Sequence, residues 1–122
     1  MKRLENHVAL VTGGGRGIGK AIAVRLSGEG ARLAICGTTP DVLRQAAKDI
    51  GADVLPVVCD VSRADQVEAM VRQVRERFGK VDILVNNAAV MLRHIGAERA
   101  ARPFYELDEA DWDLVMKVNV KG

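Results

Sequence analysis

Between Leu10 and Ile22 the chain reads LVTGGGRGIGKAI, which sets five glycines between a β-branched run and a segment of helical period. A strand that passes through glycines into a helix presents unpaired backbone N–H groups at the positive end of the helix dipole, and a phosphate fits there. Side chains at those positions would forbid the turn or hold a ligand away from the backbone. Three phosphate-binding spacings compete. The G-x-G-x-x-G pattern fails, because counting from Gly13 its last position is Ile18. The G-x-x-x-x-G-K-[ST] loop of nucleoside triphosphatases is met by Gly14, Gly19 and Lys20 but ends on Ala21, which has no hydroxyl for magnesium. T-G-x-x-x-G-x-G is met in full by Thr12, Gly13, Gly17 and Gly19.

The rest of the chain supplies the scaffold such a loop needs. Val8 to Thr12, Arg32 to Cys36, Asp53 to Cys59 and Asp82 to Asn86 read as strands apolar on both faces, as parallel strands covered by helices are. Between them, Gly17 to Ser27 carries Ile18, Ile22 and Leu26 on one stripe, and Ala64 to Phe78 carries Val67, Val71, Val74 and Phe78. Asp41 to Ile50 is a shorter helix between Pro40 and Gly51, and Asp108 can cap a last one. Right-handed crossovers turn this β-α alternation into half or more of a doubly wound α/β sheet, Rossmann-like, with strand order 3-2-1-4 in the part present. Ligands in such a sheet sit where the winding reverses, at the carboxyl ends of strands one and four. Val90 to Pro103 is the one long irregular piece.

The 122 residues suit a single domain, read as a dinucleotide-binding unit over 1–122, and with only 3% aromatic residues aliphatic side chains must fill its core. A net charge of +2 from interspersed signs forms no basic stripe, which argues against nucleic acid as a partner. Glu5, Asn6 and His7 interrupt any signal-peptide core, and apolar runs fall short of the roughly 20 residues of a membrane helix. The chain reads as soluble, cytoplasmic and without a membrane partner. Cys36 and Cys59 lie in apolar runs and read as small buried hydrophobes. His7 and His94 have no companions at a metal-ligand spacing, so no metal is expected.

On its glycine spacing the sequence closely resembles the short-chain dehydrogenase/reductase family, classical type, in its N-terminal coenzyme-binding portion. Three further matches fall in order. Asp60-Val61, after the third strand, looks like the family's adenine-contacting pair. Asn86-Asn87-Ala88 matches its N-N-A-G, except that Ala89 replaces the glycine, and Asn119 in VMKVNVKG matches the helix asparagine of its catalytic set. The resemblance covers essentially the whole chain. It implies an oxidoreductase that transfers hydride between a nicotinamide and a small-molecule carbonyl or alcohol, homo-oligomeric when full length.

The expected coenzyme-binding residues are Gly13, Gly15, Arg16, Gly17, Ile18, Gly19, Thr38, Asp60, Val61, Asn87 and Ala88, and the expected catalytic residue is Asn119. Each has a plainer reading. Asp60, or Ser62, can merely cap the helix that starts near Arg63. Asn87 can tie strands together through its amide, or lie against the ribose and nicotinamide as the resemblance implies. Asn119 lies on the helical face of Trp112, where a buried amide must find partners, and is either structural or, by resemblance, holds a water in a proton relay. Sites that favour NAD place a carboxylate near the end of the second strand, but here that end reads Gly37, Thr38, Thr39, with no acid before Asp41. Arg16 can pair with a 2′-phosphate and Thr38 can donate to it, which favours NADP(H) with NAD(H) possible; a solvated Arg16 leaves either coenzyme open.

The family's proton donor is a tyrosine followed four residues on by a lysine. The single tyrosine, Tyr105, is followed by Glu109, which would raise a phenol's pKa, and it precedes the Asn119 helix. Tyr105 is therefore not the acid. The family's serine, its Tyr-Lys pair and strands five to seven are expected beyond Gly122, so the 122 residues alone are expected to be inactive. The rival readings are a non-catalytic dinucleotide-binding module or naturally short fragment, and a triphosphatase that binds Mg-ATP. Substrate and reaction direction are not legible.

Overall fold

A computed structural model describes residues 2–51 and 53–88. Val8–Thr12 (β1) is buried at all five positions, as its unbroken apolar run requires of a strand with helices on both sides. Around it lie Arg32–Gly37 (β2), Leu55–Val58 (β3) and Ile83–Val85 (β4). Among the described residues these form one parallel sheet in the expected order β3-β2-β1-β4. Thr12 pairs with Cys36, while the β1–β4 ladder runs from Ala9–Ile83 to Val11–Val85, so Thr12 stands at the carboxyl edge where both ladders end.

Side chains alternate between the two faces. Ala9, Val11, Leu33 and Ile35 pack under Gly17–Gly28 (α1) and Pro40–Ile50 (α2), through Ala23, Leu43, Ala46 and Ala47. Val8, Leu10, Ala34, Cys36, Val57 and Cys59 pack under Ala64–Phe78 (α3), through Met70, Val74 and Phe78. The first two crossovers thus cover one face and the third returns past β1 on the other. The winding reverses between β1 and β4, with their carboxyl ends side by side.

The structure shifts several expectations. β3 begins at Leu55 rather than Asp53, which is exposed, and its ladder is extended by Cys59 N–H donating to Gly37 O at 2.9 Å. Asp82 lies just outside β4, where its Oδ2 accepts the Val8 N–H at 2.8 Å. α3 has the expected bounds, but its buried stripe is Met70, Val74 and Phe78; Val67 only flanks it and Val71 is 36% exposed. Spacings of four from Met70 and from Val67 describe overlapping stripes, and only the sheet selects between them. In α1, Ile22 and Leu26 of the expected stripe pack against the core beside the buried Ala23, whereas Ile18 is 75% exposed. Leu84, paired with Leu10 on the α3 side, is 56% exposed. No helix of the described residues is long and apolar enough to cross a membrane. Asn119, Tyr105, His94, the Val90–Pro103 stretch and the helix expected after Asp108 lie outside the described residues.

Candidate functional site

The loop from Gly13 to Arg16 leaves the carboxyl end of β1 and feeds α1. Gly13 and Gly17 have φ of +65° and +58°, the left-handed region that favours glycine. Gly19 is needed for a different reason: a Cβ there would run into the Gly13 carbonyl oxygen and the Asn87 amide nitrogen, so α1 can press against the loop only without one. Gly14 is held from below, its N–H donating to Cys36 O at 3.2 Å, and a Cβ on it would lie 2.7 Å from Ile35. Arg16 is the N-cap of α1 and provides no side-chain cap, so the first amides of the helix have no side-chain acceptor from it.

β4 arrives at the same place. Thr12, 5% exposed, accepts the N–H groups of Asn87 and Ala88 on its hydroxyl oxygen, each at 2.9 Å, and donates its proton to Val85 O at 3.3 Å. Asn87 Nδ2 donates to Gly13 O at 3.2 Å. The tie between strands foreseen for Asn87 is therefore present, and its target is the glycine loop itself. The glycine spacing alone marks Thr12 only as a letter of its motif. The signal for its role was there, since a buried hydroxyl ending an apolar strand must find partners.

Arg16 Nη2 donates to Thr39 Oγ1 at 3.4 Å, so the guanidinium reaches the junction of β2 and α2. The contact is with Thr39, the N-cap of α2, rather than with its exposed neighbour Thr38. Thr39 was missed because nothing in the spacing tells which of two threonines faces back. The nearest acid, Asp41, is paired with Arg44 at 2.8 Å. Lys20, the residue that gave the triphosphatase spacing its interest, binds Asp49 in the last turn of α2 at 2.8 Å. The hydrogen bonds from Lys20 and then Gln45 hold the Asp49 carboxyl below the ordinary carboxylate value. The Lys20 ammonium is thus turned to the far end of α2 in this structure.

At the carboxyl end of β3, Asp60 Oδ1 accepts both the N–H of Ser62 at 3.0 Å and its hydroxyl at 2.7 Å. The Asp60 N–H donates to Gln66 Oε1 at 2.8 Å. α3 takes Arg63 as N-cap with no side-chain cap from that residue, and the bonds that Asp60 Oδ1 accepts come from Ser62. Cys36 and Cys59 are buried beneath this edge. Burial, then the neighbouring Cys59, pushes the Cys36 thiol up to about 12, and burial raises Cys59 as well. His7 stands exposed before β1, at the opposite end of the sheet, with Nδ1 near Glu5 O at 3.1 Å.

Loop, helix terminus, Asn87-Ala88, Thr38-Thr39 and Asp60-Val61 thus follow four different strands and meet at one edge of the sheet. A model of the short chain dehydrogenase family matches residues 7–122. The chain is 38% identical over 125 residues to levodione reductase of Leifsonia aquatica, covering 98% of this chain and 44% of that protein. Among solved structures it resembles 3-ketoacyl-(acyl-carrier-protein) reductase from Brucella melitensis complexed with NADH, with a TM-score of 0.87 and 34% identity over 97% of this chain and 46% of that one. A metagenomic short-chain oxidoreductase in complex with NADP gives a TM-score of 0.84 and 35% identity, over 97% and 52%. The chain spans about half the length of these relatives.

Proposed function

Since this chain belongs to the short-chain dehydrogenase family, we propose that it is the coenzyme-binding portion of an oxidoreductase that moves hydride between a nicotinamide and a carbonyl or alcohol carbon of a small molecule. NADP(H) is the preferred coenzyme and NAD(H) the possible alternative. The observation that carries this reading is the junction at the sheet's reversal, where the glycine loop that leads to an N-cap without a side-chain cap is tied to Asn87 through Gly13 O at 3.2 Å.

The residues suit a dinucleotide. Nothing lies within 4 Å of where a Gly17 Cβ would stand, and Ile18 offers an apolar surface to solvent. In this reading the N–H groups at the start of α1 bind the pyrophosphate, Gly17 leaves the approach open, Gly15 lets the loop pass close to Val42 of α2, and Ile18 shields the phosphates from water. Gly13 and Gly19 give the loop its shape. Asp60 and Val61 hold the adenine, Asn87 and Ala88 lie along the ribose beside the nicotinamide, and Asn119 orients a water in the proton path. The bound coenzyme supplies or accepts the hydride.

The preference for a 2′-phosphate rests on Arg16 beside Thr39, with Thr38 adjacent, and on an end of β2 whose nearest acid is paired with Arg44. The relatives supply both possibilities, one solved with NADH and one with NADP. We place the whole protein in the cytoplasm as a homo-oligomer. Residues 1–122 alone are expected to turn over no substrate, since Tyr105 followed by Glu109 is no substitute for a Tyr-Lys pair.

Titrating the full-length protein with NADPH and with NADH, read by nicotinamide fluorescence, tests the reading. NADPH is expected to bind more tightly. Binding of Mg-ATP with neither nicotinamide coenzyme binding would overturn it.

A further inference from the structure

Asp60 is proposed above to meet the adenine, and the inference drawn here rests on that reading. We infer that Ser62 and Gln66 are positioning residues that lock the Asp60 carboxylate in place and so make the site select adenine over other purines. Three observations carry it. Ser62 spends both its donors, N–H at 3.0 Å and O–H at 2.7 Å, on the same oxygen of Asp60. Gln66, in the first turn of α3, reaches back to accept the Asp60 N–H at 2.8 Å. The turn is closed beneath them by Arg63 N–H donating to Asp60 O at 3.0 Å. Side chain and backbone of one aspartate are thus fixed from two directions.

The chemistry of the base explains what such fixing achieves. Adenine presents an amino donor next to a ring acceptor, and a carboxylate followed by a backbone N–H, as at Asp60-Val61, complements that pair. Hypoxanthine presents a carbonyl next to a ring N–H, which reverses both. A carboxylate free to swivel could turn away from the carbonyl, or be replaced there by water, and would lose rotamer freedom on meeting adenine. A carboxylate held by Ser62 can do neither, so its orientation converts the difference between the two bases into a difference in affinity.

The test measures dissociation constants for NADPH and for its hypoxanthine counterpart on the full-length protein, by nicotinamide fluorescence, which both share. The unaltered protein is expected to favour the adenine form by about tenfold or more, and Asp60→Ala to lower that preference at least about threefold, leaving the share that the Val61 N–H supplies. Ser62→Ala and Gln66→Leu should each reduce it at least about threefold by weakening the adenine form, whereas Ser62→Thr, which keeps the hydroxyl, should retain it. No preference in the unaltered protein, or one that Asp60→Ala leaves undiminished, defeats the adenine reading and this inference with it. A preference lowered by Asp60→Ala but untouched by both Ser62→Ala and Gln66→Leu, or affinities that those two variants weaken equally for both coenzymes, overturns the positioning role alone.

Discussion

The hydroxyl of Thr12 stands 2.9 Å from the backbone nitrogen of Asn87, and through that contact the end of the first strand holds the end of the fourth. The same oxygen also receives the Ala88 N–H. Replacing Thr12 by Val keeps the shape and leaves two amides without their acceptor, at a cost of about 1–3 kcal/mol. Urea unfolding should show this loss in Thr12→Val, and Thr12→Ser should recover most of it. An unchanged midpoint in Thr12→Val would mean that water replaces the hydroxyl without cost.

The glycines are expected to separate by mechanism. Gly19→Ala drives a methyl into the Gly13 carbonyl and the Asn87 amide, so it should reduce coenzyme affinity along with stability. Gly17→Ala meets open space but must hold φ near +58°, at a cost of about 1–2 kcal/mol. Gly28→Ala, in the last turn of α1 with nothing within 4 Å, should be neutral or stabilising by up to about 1 kcal/mol. Thermal melts of the three variants check the order, and equal effects would show that the loop yields more freely than its packing implies.

Arg16→Ala should weaken NADPH about tenfold or more, the worth of a hydrogen bond to a charged group, and NADH far less. Raising the salt should shrink the difference, because Arg16 is exposed. Equal losses for both coenzymes would remove Arg16 from the 2′-phosphate.

Asp82 gives a prediction in pH. The Val8 N–H, then Lys80, hold its carboxyl below the ordinary value, so the folded state binds its proton less readily than the unfolded state does. That contribution is present above the unfolded pKa of about 3.9 and is lost as pH falls through the depressed folded value. Asp82→Asn should therefore destabilise at neutral pH, and its gap from the unaltered protein should close on acidification below about pH 4. A gap independent of pH would assign the effect to packing.

Cys36 and Cys59 should resist thiol reagents at mildly alkaline pH while the protein is folded, being buried and, for Cys36, pushed up to about 12. Both should react at once in denaturant. Rapid labelling of the native protein would reveal opening of the β2–β3 edge.

How much could be read in the sequence followed from where each constraint resides. β1 was legible to the residue because a strand buried on both faces writes its length as an apolar run, and α3 because Gly79 ends it in the left-handed region, with φ +84°. The buried stripe of α3 was legible at Val74 and Phe78 but not at Met70, which the sheet selects over Val67 and Val71. In the site, glycine positions were legible because backbone geometry forbids alternatives. The partners Thr39, Ser62 and Gln66 were not: Thr39 is chosen by the Arg16 side chain, Ser62 by the Asp60 carboxylate and Gln66 by the Asp60 backbone N–H, and no spacing singles those pairs out. Asp60 appeared as a possible cap for the same reason: a short acceptor before a helix reads alike whether it faces the helix or a neighbouring serine.

The loop's footing has a kinetic consequence. With Gly14 pinned to Cys36 O and seated on Ile35, the amides are already aimed before any anion arrives. Capture should then proceed at the pace of diffusional encounter, with single-phase association rates that rise linearly with ligand concentration rather than levelling off at a slow rearrangement.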